Sequence, residues 1–286
     1  MPKKVFNFTS QNAETGKIEN RGSLEIKNST ETSADLYFYG DIVSSSWQSY
    51  WFDEDKAPQD IVDFLSEVED VEELNIYINS GGGSVYAGLA IHNLLKRHKA
   101  KKIVTIDGIA ASIASVIALA GDEIILHQSS QFMIHKPWSG CWGNADELRK
   151  VADMLDKCQK SITSIYMEKV VEGVTEEEIN ELVNKETWFV GEEVAKYFNV
   201  TIKDSVDFFA CTSDFFKNYK NTPKNILKKN KKEEITLNDE AISKIANKVV
   251  EMINSKNNIK PNNSNNEELL NLEAEKNAIL EDLDLI

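Results

Sequence analysis

Two stretches of this chain each run from a short apolar strand pattern, through a turn of small residues, into a helical pattern. The first is LNIYI at Leu74–Ile78, then NSGGGS, then VYAGLAIHNLLKRH. The second is KKIVTI at Lys101–Ile106, then the turn DGIAA, then SIASVIALAG. Repetition of strand, turn and helix constrains the fold more than any other feature, because parallel neighbours need a crossover connection and a helix is the usual one. ADLYFYGDI (Ala34–Ile42) reads as a strand by its alternation and aromatic content. PQDIVDFLSEVED reads as a helix with Ile61, Phe64, Leu65 and Val68 on one face, and DEIILH and QFMIH as two more strands. The alternation from Ala34 to His135 predicts an α/β core of parallel strands and crossover helices.

Beyond it, NADELRKVADMLDKCQKSITSIYMEKVV predicts a long helix carrying Leu148, Val151, Met154, Leu155, Ile162 and Ile165. TEEEINELV is a shorter helix with Thr175 and Glu178 at capping-box spacing. GEEVAKYF is a third, NVTIKDSV a final strand, and Gly121 closes the helix after Ser112. Four regions follow: residues 1–33, a polar mobile arm or peripheral hairpin; 34–211, the core domain; 212–232, a basic linker; and 233–286, a partly disordered helical tail. In that tail Ile242, Ile245, Val249 and Met252 step by three and four, and Leu272, Ile279, Leu283 and Ile286 fit the same heptad frame, broken by Lys276.

The totals exclude several classes. Of 286 residues 41% are hydrophobic, enough for one core plus a tail, while the net charge of −15 argues against a nucleic-acid partner. No apolar run is long enough to span a bilayer, and the opening MPKKVFNFTSQNAETG lacks the apolar centre of a secretory signal. Cys141, Cys158 and Cys211 are scattered and odd in number, with no metal spacing and no disulfide framework. The expectation is a cytoplasmic protein with no metal, no cofactor and no membrane partner.

The chemistry concentrates at the two turns. Ser112 falls in the first turn of a helix, where unpaired N–H groups and a partial positive charge favour a developing oxyanion. In a parallel sheet the glycines of NSGGGS, Gly82 and Gly83 among them, lie on the same side and offer a second backbone donor. A serine nucleophile needs a base, and His135 ends the strand QFMIH ahead of Pro137. A third group, normally a carboxylate, then holds the imidazole. Taken singly, each signal has a plainer reading. Ser112 and Ser115 read as packing residues, NSGGGS as any tight turn or an anion site, and His135 as a bonded strand-end histidine. His127 is a rival base, while His92 and His98 read as solvated. Trp138 and Trp142 line a peptide groove or cover the base of the long helix.

Together, YINSGGGSVYAGLAIHNLL, GIAASIASVIALAG, QFMIHKPWSGCWGNADEL and ETWFVGEEVAKYFNV resemble the successive motifs of the ClpP-like serine peptidases, the Clp protease proteolytic subunit family, over roughly Ala34–Val206. The resemblance implies the ClpP/crotonase-like spiral of ββα units with a protruding handle helix. It places the nucleophile on Ser112, the base on His135, the oxyanion donors on the N–H groups of Gly83 and Ile113 with Gly82 in the substrate-binding turn, and the third catalytic group on Glu186, where the family carries aspartate. ClpP-related head maturation (prohead) proteases of tailed phages, which share an aromatic ETW, resemble the chain more closely. They imply a serine endopeptidase assembled as a ring homo-oligomer and acting on capsid or scaffold proteins in the host cytoplasm or inside the prohead. Two other readings stand beside it: a Clp proteolytic subunit fed by an ATP-dependent unfoldase, and a catalytically silent scaffolding member. A crotonase acting on acyl-CoA shares the fold class but has no need of Ser112 and His135 together.

Overall fold

The computed structural model describes residues 4–11, 16–43, 59–204, 211 and 213–227. The chain divides into two compact units, Met1–Lys228 and Lys229–Ile286. The tail with its two heptad stretches, and residues 212 and 228–232 of the linker before it, lie outside the described residues.

In the first unit nine strands form one sheet among the described residues. The strands are β1 (Lys4–Gln11), β2 (Ile18–Lys27), β3 (Ser33–Gly40), β4 (Glu73–Ser80), β5 (Lys101–Ala111), β6 (Glu123–His127), β7 (Gln131–Ile134), β8 (Thr187–Val190) and β9 (Thr201–Lys203). The helices are α1 (Gln59–Ser66), α2 (Val85–Arg97), α3 (Ile113–Ala118), α4 (Ala145–Met167), α5 (Glu176–Lys185), α6 (Glu192–Ala195) and α7 (Lys224–Leu227). The expected parallel core is present: β3, β4, β5 and β6 pair in parallel in that order. Alternate residues of these strands, including Leu36, Phe38, Ile76, Ile78, Val104 and Ile106, are buried in one core with Ile61 and Leu65 of α1 and Ile91 and Leu95 of α2. Their period of two fits a sheet covered on that face.

The arm before Ser33 follows the hairpin alternative, and three other features differ from expectation. The arm before Ser33 is two strands joined antiparallel to β3, with Leu24 opposite Phe38 and Ile26 opposite Leu36. Phe8, Leu24 and Ile26 enter the core while polar residues alternate outward, which is why the segment reads as polar overall. The stretch DGIAA is strand rather than turn. It continues β5 because a second partner takes over: Ile103–Ile106 pair with β6, and Ile109–Ala111 with β7. Gly121 does not close α3 in left-handed geometry. The helix stops at Ala118, with Leu119 as its cap, and Gly121 lacks a positive φ. The expected basic linker is also partly packed: Asp214–Lys217 form a 3₁₀ turn, and Phe216 and Tyr219 are buried in an apolar cluster with Ile109, Ala111 and Met133.

The helix ends follow their caps. Asn144 before α4 pairs with Glu147 in a capping box, as Thr175 before α5 pairs with Glu178. Among the described residues no helix is long and apolar enough to cross a membrane.

Candidate active site

The fork in β5 builds the site. Ala111 pairs with Met133 of β7, and the next residue, Ser112, donates its N–H to the Met133 carbonyl at 2.9 Å. Two residues beyond Met133 comes His135. Strand pairing therefore delivers a hydroxyl and an imidazole to one point from positions 23 apart in sequence. Ser112 Oγ and His135 Nε2 lie 2.7 Å apart.

Ser112 is held in an unusual conformation, φ 56° and ψ −127°. A residue with a side chain adopts this region at a cost of about 1–3 kcal/mol, and such strain gathers at functional sites. As N-cap of α3 its hydroxyl would ordinarily accept a helix N–H, yet it makes no capping bond and points to His135 instead. The Ser112 carbonyl accepts from Ser115 Oγ at 2.6 Å, and Ser115 Oγ also lies 2.8 Å from the Tyr166 hydroxyl of α4. Ser115 thus braces the strained turn against α4.

The glycine turn meets the serine turn directly. Gly82 has φ +101°, and a Cβ there would lie 2.7 Å from both the Ala111 carbonyl oxygen and Ser112 Cβ. Gly83 has φ +145°, and a Cβ there would overlap the Ile42 carbonyl oxygen. Ile42 bonds to the Gly82 carbonyl and the Ser84 N–H on either side of Gly83, so that pairing leaves the Gly83 N–H unused. Ile113 opens α3, so its N–H has no carbonyl one turn earlier in the helix.

His135 is buried, and loss of hydration pushes its pKa down to about 4, with the nearby Glu186 carboxylate acting the other way. Glu186 arrives by register as well: β7 and β8 pair antiparallel with Ile134 opposite Thr187, so the next residues outward are His135 and Glu186. Glu186 sits at the end of α5 in left-handed geometry, φ 53°. Its carboxylate does not bond to the imidazole among the described residues. It accepts instead from the Lys220 and Asn221 N–H groups at 2.9 and 2.6 Å. Ser112, His135 and the Gly82–Gly83 turn are therefore brought together, with Glu186 alongside but differently engaged.

The rival histidines go elsewhere. His127 Nδ1 faces the Asp204 carbonyl at 2.9 Å. Of His92 and His98, both expected to be solvated, His92 is buried with Nδ1 2.8 Å from the Val116 carbonyl, and His98 is half-buried with Nε2 2.9 Å from the Val68 carbonyl. Both bind backbone between elements. Trp138 and Trp142 are both exposed.

Tyr219 is the site residue that sequence reasoning missed. Its ring packs edge-on against the His135 ring, centroids 4.9 Å apart, and its hydroxyl donates to the Gly81 carbonyl at 2.6 Å. The signal was available in DFFKNYK, where three aromatic residues sit in a segment otherwise read as basic linker.

The fold and site define an α/β protein with a serine–histidine pair at the ends of two strands of a forked sheet. The family model described as Clp protease matches residues 53–200, and the chain belongs to that family. It is 30% identical over 138 residues to an ATP-dependent Clp protease proteolytic subunit of Bacteroides fragilis, covering 47% of this chain and 65% of that relative. To the protein of the same description in Ligilactobacillus salivarius it is 32% identical over 136 residues, covering 47% of this chain and 68% of the relative. A third, in Streptococcus mutans, is 30% identical over 138 residues, covering 69% of the relative.

Proposed function

We propose that this chain is a serine endopeptidase in which Ser112 attacks the peptide carbonyl and His135 takes its proton, later delivering it to the leaving amine. The observation that carries the reading is the 2.7 Å contact between Ser112 Oγ and His135 Nε2. With Nε2 accepting the serine proton, the imidazole's own proton sits on Nδ1. The N–H groups of Gly83 and Ile113 hold the tetrahedral oxyanion; the unused Gly83 amide and the helix-opening position of Ile113 support this. Glu186 stabilises the imidazolium through its field. An extended substrate pairs its main chain beside Gly82 and Gly83, so backbone recognition leaves side-chain selection loose.

We further infer assembly with other copies of itself into a ring. The first half of α4, up to Lys157, has no buried residue although Leu148, Val151, Met154 and Leu155 line it. An apolar stripe on such a helix is suited to a second copy, as in the handle helix of the family it resembles.

The finer role is that of a phage prohead protease trimming capsid and scaffold proteins. The continuation of the chain to residue 286, past a family match ending at 200, supports it, as do Glu186 and the aromatic ETW. The second reading, a proteolytic subunit fed by an ATP-dependent unfoldase, draws on the printed description of the relatives. Co-sedimentation with capsid precursors against co-purification with an unfoldase separates the two. The activity itself is tested by peptide hydrolysis with Ser112→Ala: the expected result is loss of cleavage with assembly intact, and a variant cleaving at the wild-type rate would falsify it.

A further inference from the structure

We propose that the segment Ser213–Asn221, beyond the residues matched to the family, is a built part of the catalytic site, with Tyr219 a positioning residue for His135 and the Lys220 and Asn221 main chain a clamp on Glu186. The inference rests on the serine peptidase reading above.

The segment is anchored on both sides of the site. Arg21 of β2 pairs with Asp214, and Ser213 Oγ accepts the Phe215 N–H. At the other end the Asn221 side chain donates to the carbonyls of Lys185 and Glu186 at 2.7 and 3.0 Å. Between these anchors Phe216 and Tyr219 are 4% and 7% exposed and cover Ile109, Ala111 and Met133 beside Trp188. That face of β5 and β7 directly precedes Ser112 and His135, and among the described residues its apolar cluster is closed by Phe216 and Tyr219 of the segment. Without the segment, water reaches the imidazole.

Tyr219 is fixed at both ends, its hydroxyl on the Gly81 carbonyl and its ring on the imidazole. His135 thus sits between Ser112 Oγ and an aromatic edge, and among the described residues its one hydrogen bond is to Ser112. The carboxylate that would hold the ring in a standard triad makes no hydrogen bond to the imidazole among the described residues. Glu186 is 9% exposed, and a buried carboxylate needs donors. The two strap N–H groups supply them, one to each oxygen. The orienting task therefore falls to packing by Tyr219, while Glu186 acts at a distance. The groups facing His135 are Ser112 from the β5–α3 junction, Glu186 from the end of α5 and Tyr219 from the segment; Tyr219 is faced in turn by the Ser112 hydroxyl, Asp41, Glu186 and Cys211. A segment of this kind could equally block the site. Against that, the Ser112–His135 contact is intact with the segment docked.

The test uses the full-length chain with Tyr219→Leu, which keeps apolar fill but removes the ring, and Tyr219→Phe, which removes only the hydroxyl. Two readouts are taken: the rate of Ser112 labelling by a peptidyl phosphonate, and the pKa of His135 from C2-hydrogen exchange read by mass spectrometry. For Tyr219→Leu the expected results are labelling slower by roughly ten- to a hundredfold and a His135 pKa that rises towards the ordinary histidine value as water enters. For Tyr219→Phe they are a loss of about two- to tenfold with the His135 titration unmoved. Unchanged labelling and titration in folded Tyr219→Leu would overturn the proposal. Faster labelling would overturn it too, in favour of an inhibitory strap. If Tyr219→Leu does not fold, Tyr219→Phe decides: a slower rate supports positioning, an equal or faster one removes it. The exchange measurement needs no catalysis. Absence of labelling in the wild type, beside a His135 that still responds to Tyr219, would sink the peptidase reading and leave the packing relationship standing.

Discussion

The Ser112 amide donates to the Met133 carbonyl at 2.9 Å, and two residues past Met133 the His135 imidazole lies 2.7 Å from the Ser112 hydroxyl. A hydroxyl and an imidazole are here brought together by strand register rather than by loops, so disturbing the turn beside them is expected to disturb the proposed chemistry.

Gly82→Ala tests that coupling. A Cβ at φ +101° strikes the Ala111 carbonyl and Ser112 Cβ. The variant is expected to lose about 2–3 kcal/mol of stability and to lose peptide hydrolysis at temperatures where it is still folded. A melting temperature equal to that of the wild type would contradict the close approach of the two turns.

Ser115→Ala removes the brace under Ser112 and leaves the Tyr166 hydroxyl, which is fully buried, without its partner. A loss of about 1–3 kcal/mol in urea unfolding is expected, with hydrolysis slowed but not abolished. Full activity and stability would show that Ser115 is only filler.

The pH dependence follows from burial of His135. Its pKa in the folded protein is about 4, against 6.5 for a free histidine. The folded state keeps the ring neutral where the unfolded chain protonates it. The group's contribution to stability is therefore complete above about 6.5 and is lost as pH falls towards 4. The proposed general base is likewise neutral well into acid, so the acid limb of kcat/KM should lie nearer 4 than 6.5. A limb at the ordinary histidine value would show that the ring is hydrated in the working enzyme.

Glu186→Gln removes the charge that raises the His135 pKa. The acid limb is expected to move further down, with the rate above it reduced because the imidazolium formed in the transition state loses its counter-charge. An unchanged limb and rate would assign the acid's role to another residue.

Much of this arrangement was legible in the sequence. The two strand–turn–helix units gave the parallel β4–β5 pair, and NSGGGS and Ser112 fell on neighbouring strand ends as expected. His135 was selected over His127 by motif alone, and the fork in β5 gives the physical reason: β7 pairs with the half of β5 that leads into Ser112, β6 with the half that does not. The fork itself was hidden, because DGIAA has the composition of a turn while its small residues serve a strand covered on both faces. The hairpin of β1 and β2 was legible only as one of two alternatives, because its outward polar residues make the segment read as polar overall. His92 and His98 were misread because bonds to the Val116 and Val68 carbonyls depend on tertiary contacts that local composition does not encode. The contacts of Tyr219, Lys220 and Asn221 with the site were invisible for the same reason, spanning 34 to 138 positions in sequence.

Mass-spectrometric location of a phosphonate adduct, in the wild type and in His135→Ala, tests the serine–histidine chemistry most directly. An adduct on Ser112 alone, formed at least about a hundredfold more slowly without the imidazole, is the expected result. No adduct, or one on another serine that forms equally fast in His135→Ala, would contradict it.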